Sequence, residues 1–152
     1  MTGAMISGGT VFVASSDGSL YAIDEATGAI NWTVDTGSAV SAQPILAYGM
    51  VTVGNVAGAV SYLRPTTGAL VSTQAFFGHP ITGITATDSI ILLTSGSGQL
   101  GMIQGPKYVR MTWLFSAGSG FAAAGVFLNG DIFVAGTDGL LRGFTTRGRQ
   151  MT

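Results

Sequence analysis

Cysteine is absent from this chain, which excludes disulfides, thiolate metal sites and a cysteine nucleophile. Charge is scarce: six basic and seven acidic residues leave a formal net charge of −1. Such a balance gives no global attraction to nucleic acid or to an acidic membrane surface. Disorder is excluded too, because it needs low hydrophobicity and high net charge, and 47% of these residues are hydrophobic. Long apolar runs are also missing. A membrane span takes about 20 largely apolar residues, whereas the longest comparable stretch, Gly120 to Leu128, is short and rich in glycine and alanine. No transmembrane helix is expected. Met1 to Ala4 show neither a basic segment nor an apolar stretch, so no signal peptide is read there. No stretch repeats with a helical period, which disfavours helical and leucine-rich solenoids.

What the chain has in abundance is glycine, 24 residues in 152, and it is periodic. Gly9, Gly18 and Gly28 recur 40 positions on as Gly49, Gly58 and Gly68. The next steps take Gly58 to Gly98 and Gly98 to Gly139. Each copy has one anatomy. A short apolar run (Val11 to Ala14, Val51 to Gly54, Ile90 to Leu93, Ile132 to Ala135) meets a turn ending in glycine, and a second run follows. Asp17-Gly18 and Asp138-Gly139 read as two-residue hairpin turns with positive φ at both central positions. Ala57-Gly58 and Ser97-Gly98 keep the glycine alone.

The first runs are apolar at consecutive positions, as in strands buried on both faces. Further extended segments precede the later copies (Val40 to Ala47, Ile81 to Thr87, Phe121 to Leu128) and follow the first three (Ala29 to Val34, Leu70 to Phe76, Thr112 to Phe115). Four strands at a period of about 40 residues predict a β-propeller. The expected fold is therefore all-β, with about four blades of four antiparallel strands over about 1–38, 39–78, 79–117 and 118–152. A single β-sandwich would leave the fixed glycine shift unexplained. An arc of four blades leaves two apolar ends, so the chain is expected to be part of a larger ring, eight-bladed if two copies combine.

The segment Tyr21-Ala-Ile-Asp-Glu-Ala-Thr-Gly-Ala-Ile-Asn-Trp32 resembles the tryptophan-docking motif of pyrroloquinoline-quinone-like (quinoprotein) propeller repeats through Ala22, Ile23, Asp24, Thr27, Gly28 and Trp32. The resemblance implies that Trp32, and Trp113 in the third copy, pack on the following blade, with Asp24 and Thr27 holding the corner. The motif decays along the chain. Copy two keeps Thr67-Gly68 but has Arg64 and Ser72 for the Asp and Trp. Copy three has Gly105-Pro106-Lys107 at its turn, and copy four has Thr146-Arg147-Gly148.

Dehydrogenases of that family hold a quinone and a calcium ion, commonly with a vicinal cysteine pair. Here the cysteines are missing, and Asp17, Asp24, Glu25 and Asp138 fall in turns while Asp88 and Asp131 flank strand starts. No spacing among them suggests a calcium site. No catalytic, cofactor-binding or metal-ligating residue is expected, and no cofactor. At blade level the chain also resembles an outer-membrane assembly lipoprotein scaffold and extracellular sensor domains of bacterial kinases. That implies a non-catalytic module, extracytoplasmic, binding a protein or peptide partner or a second copy of itself. The alternatives are a fragment of a quinone-dependent dehydrogenase and a structural subunit of a larger assembly.

Of the isolated candidates, His79 has no second ligand beside it. Ser41 and Gln43 begin an inner strand and either line a central channel or are simply solvated. Gly96-Ser97-Gly98 is a hairpin, since no helix or lysine follows to make a phosphate loop. Charge is asymmetric: residues 1–40 hold four acidic side chains and no basic one, while 100–152 hold Lys107, Arg110, Arg142, Arg147 and Arg149 against two acids. An acidic first blade beside the basic last blade of a neighbouring copy is one reading of this.

Overall fold

The computed structural model describes residues 3–104 and 111–151, all strand and turn with no helix among them. Sheet one comprises β1 (Gly3–Ser7), β2 (Thr10–Ala14), β3 (Ser19–Asp24) and β4 (Ile30–Asp35). Sheet two comprises β5 (Ile45–Ala47), β6 (Met50–Gly54), β7 (Ala59–Leu63) and β8 (Leu70–Ala75). Sheet three is β9 (Ile81–Ala86), β10 (Ile90–Ser95), β11 (Gln99–Gln104) and β12 (Met111–Ser116). Sheet four has three strands, β13 (Val126–Leu128), β14 (Asp131–Ala135) and β15 (Leu141–Thr145). Every sheet is an antiparallel meander in sequence order. The chain is an all-β propeller arc, as the period predicts.

The turns differ from the sequence expectation in an instructive way. Positive φ at both central positions occurs one hairpin earlier, at Gly8-Gly9, Tyr48-Gly49 and Asn129-Gly130. At Asp17-Gly18 only the glycine has positive φ. There Gly18 N–H donates to Ser15 O at 3.2 Å and Ser15 N–H to Ser19 O at 2.9 Å, which makes a longer loop than two residues. The physical reason is Asp17 itself: its Oδ1 accepts from Ser19 N–H at 2.8 Å, so it caps the loop from an ordinary backbone conformation.

Packing between sheets follows from strand alternation. Phe12, Ala14, Leu20 and Ala22 of sheet one bury against Val51, Val53 and Leu63 of sheet two. Val60 and Tyr62 then meet Ile81, Ile91, Leu93 and Ile103. Ile90, Leu92, Leu100 and Met102 meet Phe121, Ile132, Val134 and Phe144. Burial on both faces, expected of all four first runs, holds for β10 throughout and for nearly all of β6. In β2 and β14 it alternates. The composition of these strands is equally apolar; the terminal ones have a neighbouring sheet on one side only.

Candidate functional site

The inner strands are drawn together by hydroxyl and amide side chains that reach across blades. Ser41 Oγ donates to Ile81 O at 2.7 Å, and Thr82 Oγ1 donates to Phe121 O at 2.7 Å. One contact is thus repeated in successive blades. Thr85 Oγ1 donates to Gly125 O at 2.6 Å, Thr94 Oγ1 to Ala123 O at 2.9 Å, and Gln43 Nε2 back to Ala4 O at 2.8 Å. Gly83 lets the strands close further, since a Cβ there would lie 2.2 Å from the backbone of Ala124. The signal for these residues is legible in retrospect: Ser41 and Thr82 are hydroxyl residues one repeat apart.

Between these strands lies an open recess of about 640 Å³, walled by Ser41, Gln43, Thr82, Thr85 and the run Ala122 to Ala124, among others. No ionisable side chain among the described residues lines it. Its hydroxyls already donate to neighbouring carbonyls, so the wall offers methyl groups, backbone and the amide of Gln43. Among the described residues no group of three or more His, Asp or Glu side chains is gathered. The recess therefore does not fit a quinone held with calcium, which needs carboxylates in the wall. His79 is exposed in the loop before β9.

The motif residues surround a second region, the outer corner of sheet one. Asp24 Oδ1 accepts from Ala26 N–H (3.1 Å), Thr27 N–H (2.8 Å) and Thr27 Oγ1 (2.7 Å). Gly28, at φ +73°, closes the turn through its N–H to Asp24 O at 2.9 Å. Trp32 lies in register with Ala22, its ring 5.8 Å from that of Phe12. Its Nε1–H crosses to sheet two and donates to Pro65 O at 2.9 Å. A Cβ on Gly68 would stand 2.8 Å from the indole ring, so glycine is what leaves room for it. Trp113 sits opposite Met102 in β12, but its side chain and the turn at Gly105-Pro106-Lys107 lie outside the described residues. Gly18, Gly58, Gly98 and Gly139 all occupy hairpin tips with positive φ.

Three aspartates have their carboxyls held below the usual range. The cause at Asp24 is first the Thr27 hydroxyl, at Asp17 the Ser19 N–H, and at Asp138 the two-pronged hydrogen bond from Arg142. A depressed folded pKa stabilises the fold above the unfolded pKa and ceases to do so as pH falls through the folded value. Asp24→Ala is thus expected to lower the melting temperature at pH 7 by more than at pH 2, a gap that closes below about pH 4. Thermal denaturation followed by circular dichroism across that range checks it; a constant gap would show that charge on Asp24 contributes nothing.

Four antiparallel sheets packed face to face, with a 40-residue repeat and their inner strands around a recess, define a β-propeller arc. Residues 2–61 match the family model described as outer membrane protein assembly factor BamB. The crystal structure of BamB from Moraxella catarrhalis superposes with a TM-score of 0.82 and 27% identity, over 98% of this chain and 46% of that one. Two computationally designed proteins share the fold at 18% identity and a TM-score of 0.84: Ika4, over 95% of this chain and 89% of that one, and Ika8, over 95% and 45%. The chain thus spans less than half the length of BamB and of Ika8. No curated protein matches the sequence.

Proposed function

We propose that this chain is a non-catalytic propeller scaffold that binds an extended protein segment in the recess between its inner strands, in an extracytoplasmic setting like that of an outer membrane assembly factor. The observation that carries the reading is the wall of that recess. It has methyl groups, the glycine and alanine backbone of Gly83 and Ala122 to Ala124, and, among the described residues, no ionisable side chain to activate a substrate. Such a surface recognises main chain and small apolar side chains, as in strand-like peptide binding. The similarity to BamB supports the same class. Trp32 serves in this reading as the plug between blades one and two, with Asp24, Thr27 and Gly28 holding its corner, and the blades extend over about 1–38, 39–78, 79–117 and 118–152.

The test uses a labelled peptide of alternating apolar and polar residues and reads fluorescence anisotropy. Micromolar binding is expected, and Ala123→Trp, which fills the recess from an exposed position, is expected to weaken it by about tenfold or more without altering the circular dichroism spectrum. Binding unaffected by that substitution would place the partner elsewhere and overturn the reading. Dye-linked alcohol oxidation after loading with quinone and calcium addresses the dehydrogenase alternative: turnover would displace the scaffold.

A further inference from the structure

The two ends of the arc carry the two halves of a junction that the chain already makes once. Val11-Phe12-Val13-Ala14, Asp17-Gly18 and Leu20 of blade one reappear 121 positions on as Ile132-Phe133-Val134-Ala135, Asp138-Gly139 and Leu141. Register carries the match into space. Phe12 pairs with Ala22 and Ala14 with Leu20, as Phe133 pairs with Gly143 and Ala135 with Leu141. In blade one this face is buried to 1% exposure or less against blade two. In blade four the same face is bare, and Leu141 is 70% exposed where Leu20 is 0%. Met151 lies over Gly143, so the face is apolar there as well.

The receiving half stands at the other end. Blade two accepts Phe12 and Leu20 with Val51, Val53 and Leu63, and Val51 pairs with Leu63. Blade one holds Val11, Val13 and Ile23 at the equivalent positions, with Val11 paired to Ile23. That face is open too: Ile6 is 63% and Ile30 60% exposed. Sheet faces of this composition do not stay in water without cost.

We propose that a second copy of this chain covers both ends, blade four of each copy seating on blade one of the other, to close a ring of eight blades about a two-fold axis. Three observations select a copy of this chain over another occupant. Both halves of the junction are encoded in one chain. The arc superposes on close to half of Ika8 and of BamB, so two arcs supply one such ring. Charge agrees in sign: the turn after β15 carries Arg147 and Arg149, and the corresponding turn after β3, on the blade it would meet, carries Asp24 and Glu25. Those exposed charges add little strength but disfavour the opposite pairing. The proposal stands apart from the peptide-binding reading, although closure would complete the channel wall.

Sedimentation equilibrium of the full chain tests it. The expected mass is twice 15.4 kDa, unchanged over about 1–100 μM. Leu141→Asp and, separately, Val11→Asp are each expected to weaken dimerisation by ~100-fold, since each puts an unpaired charge into both junctions. Mixing the two variants is the distinguishing arm. A mixed pair has one doubly damaged junction and one intact junction, so heterodimers are expected to form more strongly than either variant with itself. Circular dichroism confirms that each variant folds, and Leu140→Asp, at an exposed neighbour on the hairpin, serves as a control expected to dimerise normally. A compact monomer of the unaltered chain would overturn the proposal and give the ends to some other segment. A mass that keeps growing with concentration would overturn it in favour of an open filament. Absence of rescue on mixing would overturn the head-to-tail arrangement.

Discussion

Replacing Gly58 by alanine is expected to destabilise the protein by about 3 kcal/mol or more, against about 1 kcal/mol for Gly139→Ala. Both glycines close a hairpin at nearly the same backbone angle, φ +80° and +78°. Local strain is therefore common to both, and the surroundings decide the difference. A Cβ at Gly58 would lie 1.9 Å from Phe77 O and 2.7 Å from His79 O, both main-chain atoms that cannot swing aside. Gly58 O also receives Phe76 N–H at 3.0 Å and Phe77 N–H at 3.1 Å, so the tip and the strand exit are bound together. At Gly139 nothing lies within 4 Å of the added carbon. Urea denaturation at one fixed protein concentration measures both, because any self-association makes apparent stability depend on concentration. Equal losses at the two sites would mean that the Phe77 segment yields, and that tip packing is not what glycine protects.

Trp32→Ala is expected to cost about 3 kcal/mol, near the lower end for deleting a large aromatic because the side chain is half-buried. Trp32→Phe should recover most of this and lose about 1 kcal/mol, the worth of the hydrogen bond from Nε1 to Pro65 O. In a chain of this size each kcal/mol moves the melting temperature by roughly 2–4 °C, so the two variants separate clearly in a thermal scan. The converse substitution, Gly68→Ala, pushes a methyl group into the indole ring from the opposite blade. Its loss is expected to be smaller in the Trp32→Ala background than in the unaltered protein, the coupling that direct contact produces. Independent losses would show that the ring and Gly68 do not share a contact in solution.

Much of the architecture was readable before any coordinates. The 40-residue recurrence of glycine, with apolar runs on either side, leads directly to four consecutive antiparallel meanders. The motif from Tyr21 to Trp32 lies inside residues 2–61, the stretch that matches the BamB family model. The turn chemistry was less legible. Asp-Gly is the usual mark of a two-residue hairpin, yet Asp17 spends its side chain on Ser19 N–H and leaves the positive φ to Gly18 alone. Tyr48 and Asn129 adopt that conformation instead, next to Gly49 and Gly130. The candidate recess was hardest to foresee. From the sequence Ser41 and Gln43 read either as channel-lining or as simply solvated strand-start residues, and only the fold sets them beside Ile81 and Ala4.

By itself the amino-acid sequence determined the units: a recurring antiparallel meander, and which residues alternate to its two faces. Those are local properties, decided by backbone sterics at glycine and by a period-two pattern. Tertiary structure alone decided which faces find a partner and which hydroxyls are taken by a neighbouring carbonyl. Leu20 and Leu141 occupy the same place in the same repeat, one wholly buried and the other exposed to solvent. Nothing in the residues themselves distinguishes the two; the presence of an adjoining blade does.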